Sequence, residues 1–314
     1  MCMNKVSVII PTFRALDTIE KTLNSIAMQS ISADLEILIA NDADGIDYSE
    51  IINRFPHLNI RVVVNEVNKG CGGARNLGIR NATSPYITFI DADDCWSNCL
   101  SIEIMYNRIK TEKVDMLAGD FESEMRQDDG IAIKKIERSP VWTHNKFYRR
   151  QFLLDNNLFF NENLRINEDM EFHQLLIDMG GKVAYVPFCG YMWRDNAKSV
   201  THESLYKNKK LFVVASTEYI RDCEKRDMDG EKVVRRILQN LVMVYYYYQI
   251  VLDDTPENKD DYLADCREYW KLADKYAANV SDEEITRVFL PIMKQQCSLI
   301  PSVTFMEFLD EIRT

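Results

Sequence analysis

Tyr86-Ile87-Thr88-Phe89-Ile90 runs directly into Asp91-Ala92-Asp93-Asp94. Five residues rich in β-branched and aromatic side chains, closed by three carboxylates, read as a buried strand that ends at a polar edge. Neighbouring carboxylates repel one another unless a proton or a cation offsets them. Hard divalent ions such as Mg2+ and Mn2+ take oxygen ligands of this kind and bridge phosphate oxygens. The competing reading makes Asp94 the cap of a helix starting near Ser97. Similar runs occur at Val6–Ile10, Leu35–Ala40, Ile60–Val64 and Val114–Leu117, each read as a buried strand bounded by Pro, Asn, Asp or Gly. Between them lie helical patterns. Ile19, Leu23, Ile26 and Ala27 repeat at helix spacing after Asp17, a candidate N-cap, and Ala74–Ile79 and Leu100–Ile109 do likewise. Strand–helix alternation predicts an α/β unit, Rossmann-like, with a mostly parallel sheet and helices on both faces. Ligands on such sheets gather at the carboxyl ends of the strands.

The chain has 314 residues, which predicts more than one structural unit. Residues 121–193 are mixed, with a hairpin turn at Gln127-Asp128-Asp129-Gly130 and a helix from Asn167 to Met179 that stops at Gly180-Gly181. After His202 the periodicity is helical, with helices read at 205–227, 232–252, 259–277 and 282–295. The expected division is therefore a catalytic domain at 1–204, in halves 1–120 and 121–204, and a helical C-terminal domain at 205–314. Apolar positions such as Leu211, Ile237, Leu241 and Val244 need a partner surface, either the catalytic unit or a second copy in a homodimer.

Net charge is −11 and the pI is near 5.0, which disfavours unassisted binding to nucleic acid. The eight cysteines show no C-x-x-C pairing and read as reduced packing residues. No apolar run approaches the roughly 18 residues that would span a membrane, and no signal-peptide pattern opens the chain. The expectation is a cytoplasmic protein, with a peripheral place at the inner face of the membrane compatible with it.

Two further motifs follow strands. Asn41-Asp42 offers a carboxylate at the sheet edge. Asn68-Lys69-Gly70-Cys71-Gly72-Gly73-Ala74-Arg75-Asn76 combines glycines, a helix start and a fixed cation, as a phosphate site would. It is neither a dinucleotide fingerprint nor a P-loop.

Val6-Ser7-Val8-Ile9-Ile10-Pro11-Thr12-Phe13, Asn41-Asp42, Gly73-Ala74-Arg75-Asn76-Leu77-Gly78 and Phe89-Ile90-Asp91-Ala92-Asp93-Asp94 stand in an order that resembles the family-two glycosyltransferases, from Val6 to about Thr201. The resemblance implies a GT-A fold, a nucleoside-diphosphate-sugar donor (UDP-sugar first), a divalent metal (Mn2+ or Mg2+) and inversion at the anomeric carbon. It implies that Pro11, Thr12, Asp42, Arg75, Asp91 and Arg194 bind the donor, with Asp42 facing the base. It also implies that Asp93 and Asp91 hold the metal, joined by His202. One departure is Asn41 where many relatives carry a first Asp, which bears on nucleotide identity.

Ile166-Asn167-Glu168-Asp169-Met170-Glu171-Phe172 resembles the family's Glu-Asp motif. Inverting transfer needs a carboxylate opposite the leaving diphosphate to take the acceptor's proton. Asp169 is read as that base and Glu168 as its support; acidic residues compensating a helix dipole are the plainer reading. Trp142, His144 and Lys146 fall where relatives place acceptor-side residues, and Trp142 and Lys146 are read as acceptor contacts. The acceptor implied is a surface glycan or lipid-linked oligosaccharide. Rival functions are a nucleotide-sugar-binding protein without catalysis, a transferase acting on a modified nucleic-acid base, and an unrelated nucleotide enzyme.

Overall fold

A computed structural model of the chain describes residues 4–127, 130–196, 205–228, 230–252, 255–277, 280–281, 283–285, 287–288 and 302–314. The chain divides into two compact units, residues 1–199 and 200–314.

The first unit is built on one mixed sheet. Strands β1 (Val6–Thr12), β2 (Leu35–Asn41), β3 (Asn59–Val64) and β4 (Tyr86–Phe89) are parallel in the order β3-β2-β1-β4. Every position of β1 and β2 is buried, as mostly apolar parallel strands at the centre of such a sheet require, and the Ser7 hydroxyl on β1 donates to Glu36 on β2 (2.5 Å). β3 departs from the buried reading. It is an edge strand, and Val62 and Val64 are exposed. Helix α1 (Ile19–Ala27) starts after Thr18, so Asp17 lies one residue outside the cap position. Ile19, Leu23 and Ile26 are buried in the core shared with β1 and β2. A short α2 (Ser49–Ile52), α3 (Gly70–Asn81) and α4 (Ser101–Glu112) complete this half.

Beyond β4 the sheet changes direction. After the two-residue β5 (Cys95–Trp96) come β6 (Met116–Gln127), β7 (Gly130–Ile136), β8 (Lys146–Arg149) and β9 (Val183–Trp193). β8 runs antiparallel between β4 and β6, while β9 is parallel to β6. The strand read at 114–117 is thus the start of a longer one, and β6 and β7 form the expected hairpin, with Gln127 opposite Gly130. β6 is irregular at Gly119–Glu122. A Cβ at Gly119 would lie 2.3 Å from Asn145 Nδ2, so glycine alone lets Asn145 reach in and donate to the carbonyls of Asp120 (2.6 Å) and Phe188 (2.9 Å). Helices α5 (Arg150–Asp155) and α6 (Glu168–Asp178) flank β8 and β9 in the chain.

The second unit contains α7 (Leu205–Lys225), α8 (Glu231–Val251), α9 (Pro256–Ala277) and α10 (Phe305–Arg313). Its core is rich in tyrosine, and several of the buried hydroxyls donate to acceptors on neighbouring helices. Tyr262 donates to Val244 O (2.8 Å), Tyr269 to Ile237 O (2.6 Å) and Tyr248 to Glu311 Oε2 (2.6 Å). Of the tyrosine run on α8, Tyr245 and Tyr248 are buried while Tyr246 and Tyr247 are half-buried, as helical spacing requires. Most of the helix read at 282–295 lies outside the described residues. Among the described residues no helix is long and apolar enough to cross a membrane.

Candidate active site

The loop after β4 collects charge from four places. Asp94 is buried, and its carboxylate accepts from the Tyr191 hydroxyl (2.5 Å) and the Arg194 amide (2.8 Å). Asp93 accepts from Asn196 Nδ2 (2.8 Å). Asp91 lies 3.0 Å from an Arg75 nitrogen and 3.8 Å from His144 Nε2, which is also 4.0 Å from Asp94. Ligand atoms of Asp91, Asp94 and His144 all fall within 4.8 Å of one another. Burial raises the proton affinity of Asp91, but Arg75 and His144 together pull its carboxyl below the usual range. Burial and the Asp91 charge push Asp93 up, and burial with both neighbours pushes Asp94 well up.

This donor set fits a divalent cation. Two carboxylates and an imidazole converge, and burial depresses the His144 pKa, favouring the neutral ring that ligates metals. The His144 Nδ1 is buried without a hydrogen-bond partner. The sequence reading named Asp91, Asp93 and His202. The geometry groups Asp94 with Asp91 because the chain turn (Asp94 N to Asp91 O, 3.0 Å) brings them to one side, with Asp93 held by Asn196. His202 lies outside the described residues. His144, read earlier as an acceptor-side residue, is the third member of this cluster. It is carried on the loop that Asn145 and Gly119 hold in place.

Arg75 organises the site. It is buried on α3, with one nitrogen 2.7 Å from Glu168 Oε1 and another 3.0 Å from Asp91 Oδ1. The clamp joins the end of β4 to the start of α6. Asn76 strengthens it by exchanging two hydrogen bonds of 2.8 Å with the backbone of Phe160. Asn167 enters α6 in the left-handed conformation, so Glu168 and Asp169 occupy its first turn. Burial, then the Glu168 charge, raise the Asp169 carboxyl to about 7, against the pull of Arg75.

Lys146 is fully enclosed and donates to the Trp142 carbonyl. Burial pulls its pKa down to about 7, opposed by the Asp169 charge. A residue without exposed surface cannot touch an acceptor, so the reading of Lys146 as an acceptor contact is corrected: it supports the loop that carries Trp142. Trp142 itself is 44% exposed and packs edge-on against Phe121. Beneath Asp169, His173 donates from Nδ1 to Val141 O (2.6 Å) and accepts at Nε2 from the Tyr148 hydroxyl (2.7 Å), a neutral tautomer fixed by its two partners.

The carboxyl end of β1 holds Pro11 and Thr12, both buried. Asp42 is buried beside them with its carboxylate engaged by Asn65, Lys69 and Gly70. The glycine-rich segment is therefore not an open phosphate cradle, because an internal carboxylate already caps it. Its glycines serve packing: a Cβ at Gly72 would lie 3.1 Å from Phe160 Cβ and 3.3 Å from Glu168 Cγ. The Arg194 side chain lies 3.7 Å from Glu124. Asn196 was not singled out from the sequence, and His144 was read only as acceptor-side, because their places beside the carboxylates come from chain turns far along the sequence.

A mixed Rossmann-like sheet with a carboxylate row after its fourth strand, joined by a buried arginine to an acidic helix start, defines a GT-A glycosyltransferase. Residues 7–163 match the model for glycosyl transferase family 2, half of the chain, and the protein belongs to that family. The chain is 25% identical over 217 residues to the uncharacterized glycosyltransferase EpsJ of Bacillus subtilis (strain 168), covering 62% of each protein. It is 36% identical over 113 residues to the Escherichia coli UDP-Glc:alpha-D-GlcNAc-diphosphoundecaprenol beta-1,3-glucosyltransferase WfaP, covering 36% of this chain and 44% of that one. The match thus spans less than two thirds of either relative. Among solved structures, S. aureus TarS 1-349 in complex with UDP-GlcNAc superposes with a TM-score of 0.69 at 17% identity, over 94% of this chain and 93% of that one. The mannosyltransferase PcManGT from Pyrobaculum calidifontis, in complex with GDP-Man and Mn2+, gives 0.55 at 15% identity, over 92% and 84%. At those identities the likeness establishes the fold.

Proposed function

We propose that this glycosyltransferase moves a sugar from a nucleoside-diphosphate sugar, UDP-sugar first, to a hydroxyl of a lipid-linked or surface glycan, with inversion. The observation that carries the reading is the Arg75 clamp, which holds the Asp91 carboxylate and the Glu168-Asp169 helix start at one point. Support for the donor comes from the UDP-GlcNAc bound to TarS, and for the acceptor from the diphosphoundecaprenol substrate in the name of WfaP.

Pro11, Thr12 and Asp42 flank the nucleoside at the carboxyl ends of β1 and β2. Asp91, Asp94 and His144, with Asp93 alongside, would hold a divalent cation, which supplies charge shielding to the diphosphate leaving group. Arg194 adds a cation on the same side. Trp142 offers an exposed indole on which an acceptor sugar ring stacks. Asp169 accepts the acceptor proton. As the acceptor O–H bond breaks, its oxygen bonds to C1 of the donor sugar, and the C1–O bond to the diphosphate breaks with its electron pair leaving on the phosphate. A carboxylate held at about 7 is matched to that task near neutral pH, and Glu168 positions it through Arg75. The test is a thermal-shift panel of UDP-, GDP- and CDP-sugars with Mn2+. A rise in melting temperature with UDP-sugars above the others is expected, and no rise with any donor would end the reading.

A further inference from the structure

We propose that His173 is a positioning residue that locks the loop carrying Trp142 to the helix carrying Asp169, and so sets the spacing between acceptor face and base. His173 stands four residues after Asp169 on α6, one turn along the same helix face. Its ring is fully buried, so it cannot touch substrate and acts through its partners. The Nδ1–H donates to the carbonyl of Val141, the residue before Trp142 (2.6 Å). On another edge, Nε2 accepts from the Tyr148 hydroxyl on β8 (2.7 Å), with the two rings stacked at 5.9 Å. One imidazole thus ties together α6, β8 and the loop between β7 and β8.

A neutral imidazole offers one donor and one acceptor on a rigid ring, which suits a carbonyl at one nitrogen and a hydroxyl at the other. A carbonyl only accepts, so Nδ1 carries the proton. Burial, and then the Lys146 charge, hold the ring well below its ordinary pKa and keep it neutral. Other ties of the loop run to the sheet. Asn145 donates to Asp120 O on β6 and Phe188 O on β9, and Lys146 on β8 donates to Trp142 O. Those bonds fix where the loop leaves the sheet, whereas the His173 bond fixes it against the helix that carries the base. The Trp142 indole is exposed and Asp169 is partly exposed, as an acceptor face and a base must be. A sugar hydroxyl stacked over the indole meets the carboxylate only at one separation, and a misplacement of about 1 Å can cost about 10² in rate.

The kinetic measurements rest on the transfer reading above; amide exchange does not. Wild type, His173→Leu, His173→Asn and Tyr148→Phe are compared in donor KM, in sugar transfer to the acceptor and in hydrolysis of the same UDP-sugar by water. Hydrogen exchange is followed at the amides of 142–144. Water needs the base but not the indole, so the ratio of transfer to hydrolysis isolates the acceptor face. His173→Leu should lower that ratio about tenfold or more, with donor KM within about twofold of wild type. A role in stability alone lowers both rates together and leaves the ratio unchanged. His173→Asn puts an amide N–H near the place of Nδ1 and should restore the ratio to within about threefold of wild type. The amides of 142–144 should exchange at least about tenfold faster in His173→Leu. Tyr148→Phe keeps the ring stack, removes the hydroxyl and should act in the same direction, more mildly; it decides the matter if His173→Leu does not fold. A folded His173→Leu with an unchanged ratio, or with unchanged exchange at 142–144, would overturn the proposal. If wild type neither transfers from nor hydrolyses a UDP-sugar, the transfer reading fails, and amide exchange alone decides whether His173 locks the loop.

Discussion

Asp169 holds its proton up to about pH 7 because it is enclosed next to Glu168, and that carries a cost in stability. The folded pKa lies above the unfolded value of about 3.9, so the folded state binds the proton more tightly. Its contribution is fully present below pH 4 and is lost as pH rises through 7. Asp169→Asn cannot ionise and escapes that loss. The variant should match wild type in melting temperature at pH 4 and exceed it by roughly 2–4 °C at pH 8, which differential scanning calorimetry at the two pH values measures. A helix-capping role alone would give the reverse, a variant about 1 kcal/mol less stable at pH 8. Asp169 was legible in the sequence as the second acid of a Glu-Asp pair. Lys146 and His144 were legible only by position, because their enclosure depends on the loop between β7 and β8 folding back over the sheet.

Among elements, the clamp between β4, α3 and α6 is the most exposed to test. Arg75→Met removes the cation from the buried Glu168 carboxylate and the partly exposed Asp91 carboxylate. Breaking a buried pair in this way costs about 3–5 kcal/mol. Urea unfolding should report that loss in Arg75→Met, and adding Glu168→Gln should restore part of it. Equal stability of wild type and Arg75→Met would show the clamp to be solvated. Strand and helix signals were clearest where burial is two-sided, as in β1 and β2, every residue of which is buried. β3 misled because valines at a sheet edge read like valines in a sheet centre. β8 carries only four residues, and its apolar pair Phe147-Tyr148 gives too short a pattern to separate from a loop. α10 was overlooked although Thr304-Phe305-Met306-Glu307 spells its capping box, in which both reciprocal hydrogen bonds form.

The molecule as a whole carries −11, and part of that excess converges on one loop, where Asp93 and Asp94 are both driven toward protonation. A divalent cation competes with protons for those carboxylates, so its binding should strengthen as pH rises. Millimolar Mn2+ or Mg2+ should raise the melting temperature at pH 8 and leave it nearly unchanged at pH 5, with EDTA reversing the rise. A metal shift of equal size at both pH values would move the ion to another part of the surface. The order of motifs along the first half made the family legible from sequence, since strand ends are where such folds put their ligands. The pairing of Asp94 and His144 was not legible, because it needs the reversal of the sheet after β4. The most direct test of the central claim is sugar transfer from a UDP-sugar to a diphosphate-lipid-linked acceptor by wild type and Asp169→Asn, with donor affinity measured alongside. Turnover of the variant should fall by about 10²–10⁴ while donor affinity stays within a few-fold, the mark of a lost general base. A folded Asp169→Asn protein that binds donor and turns over at the wild-type rate would contradict it.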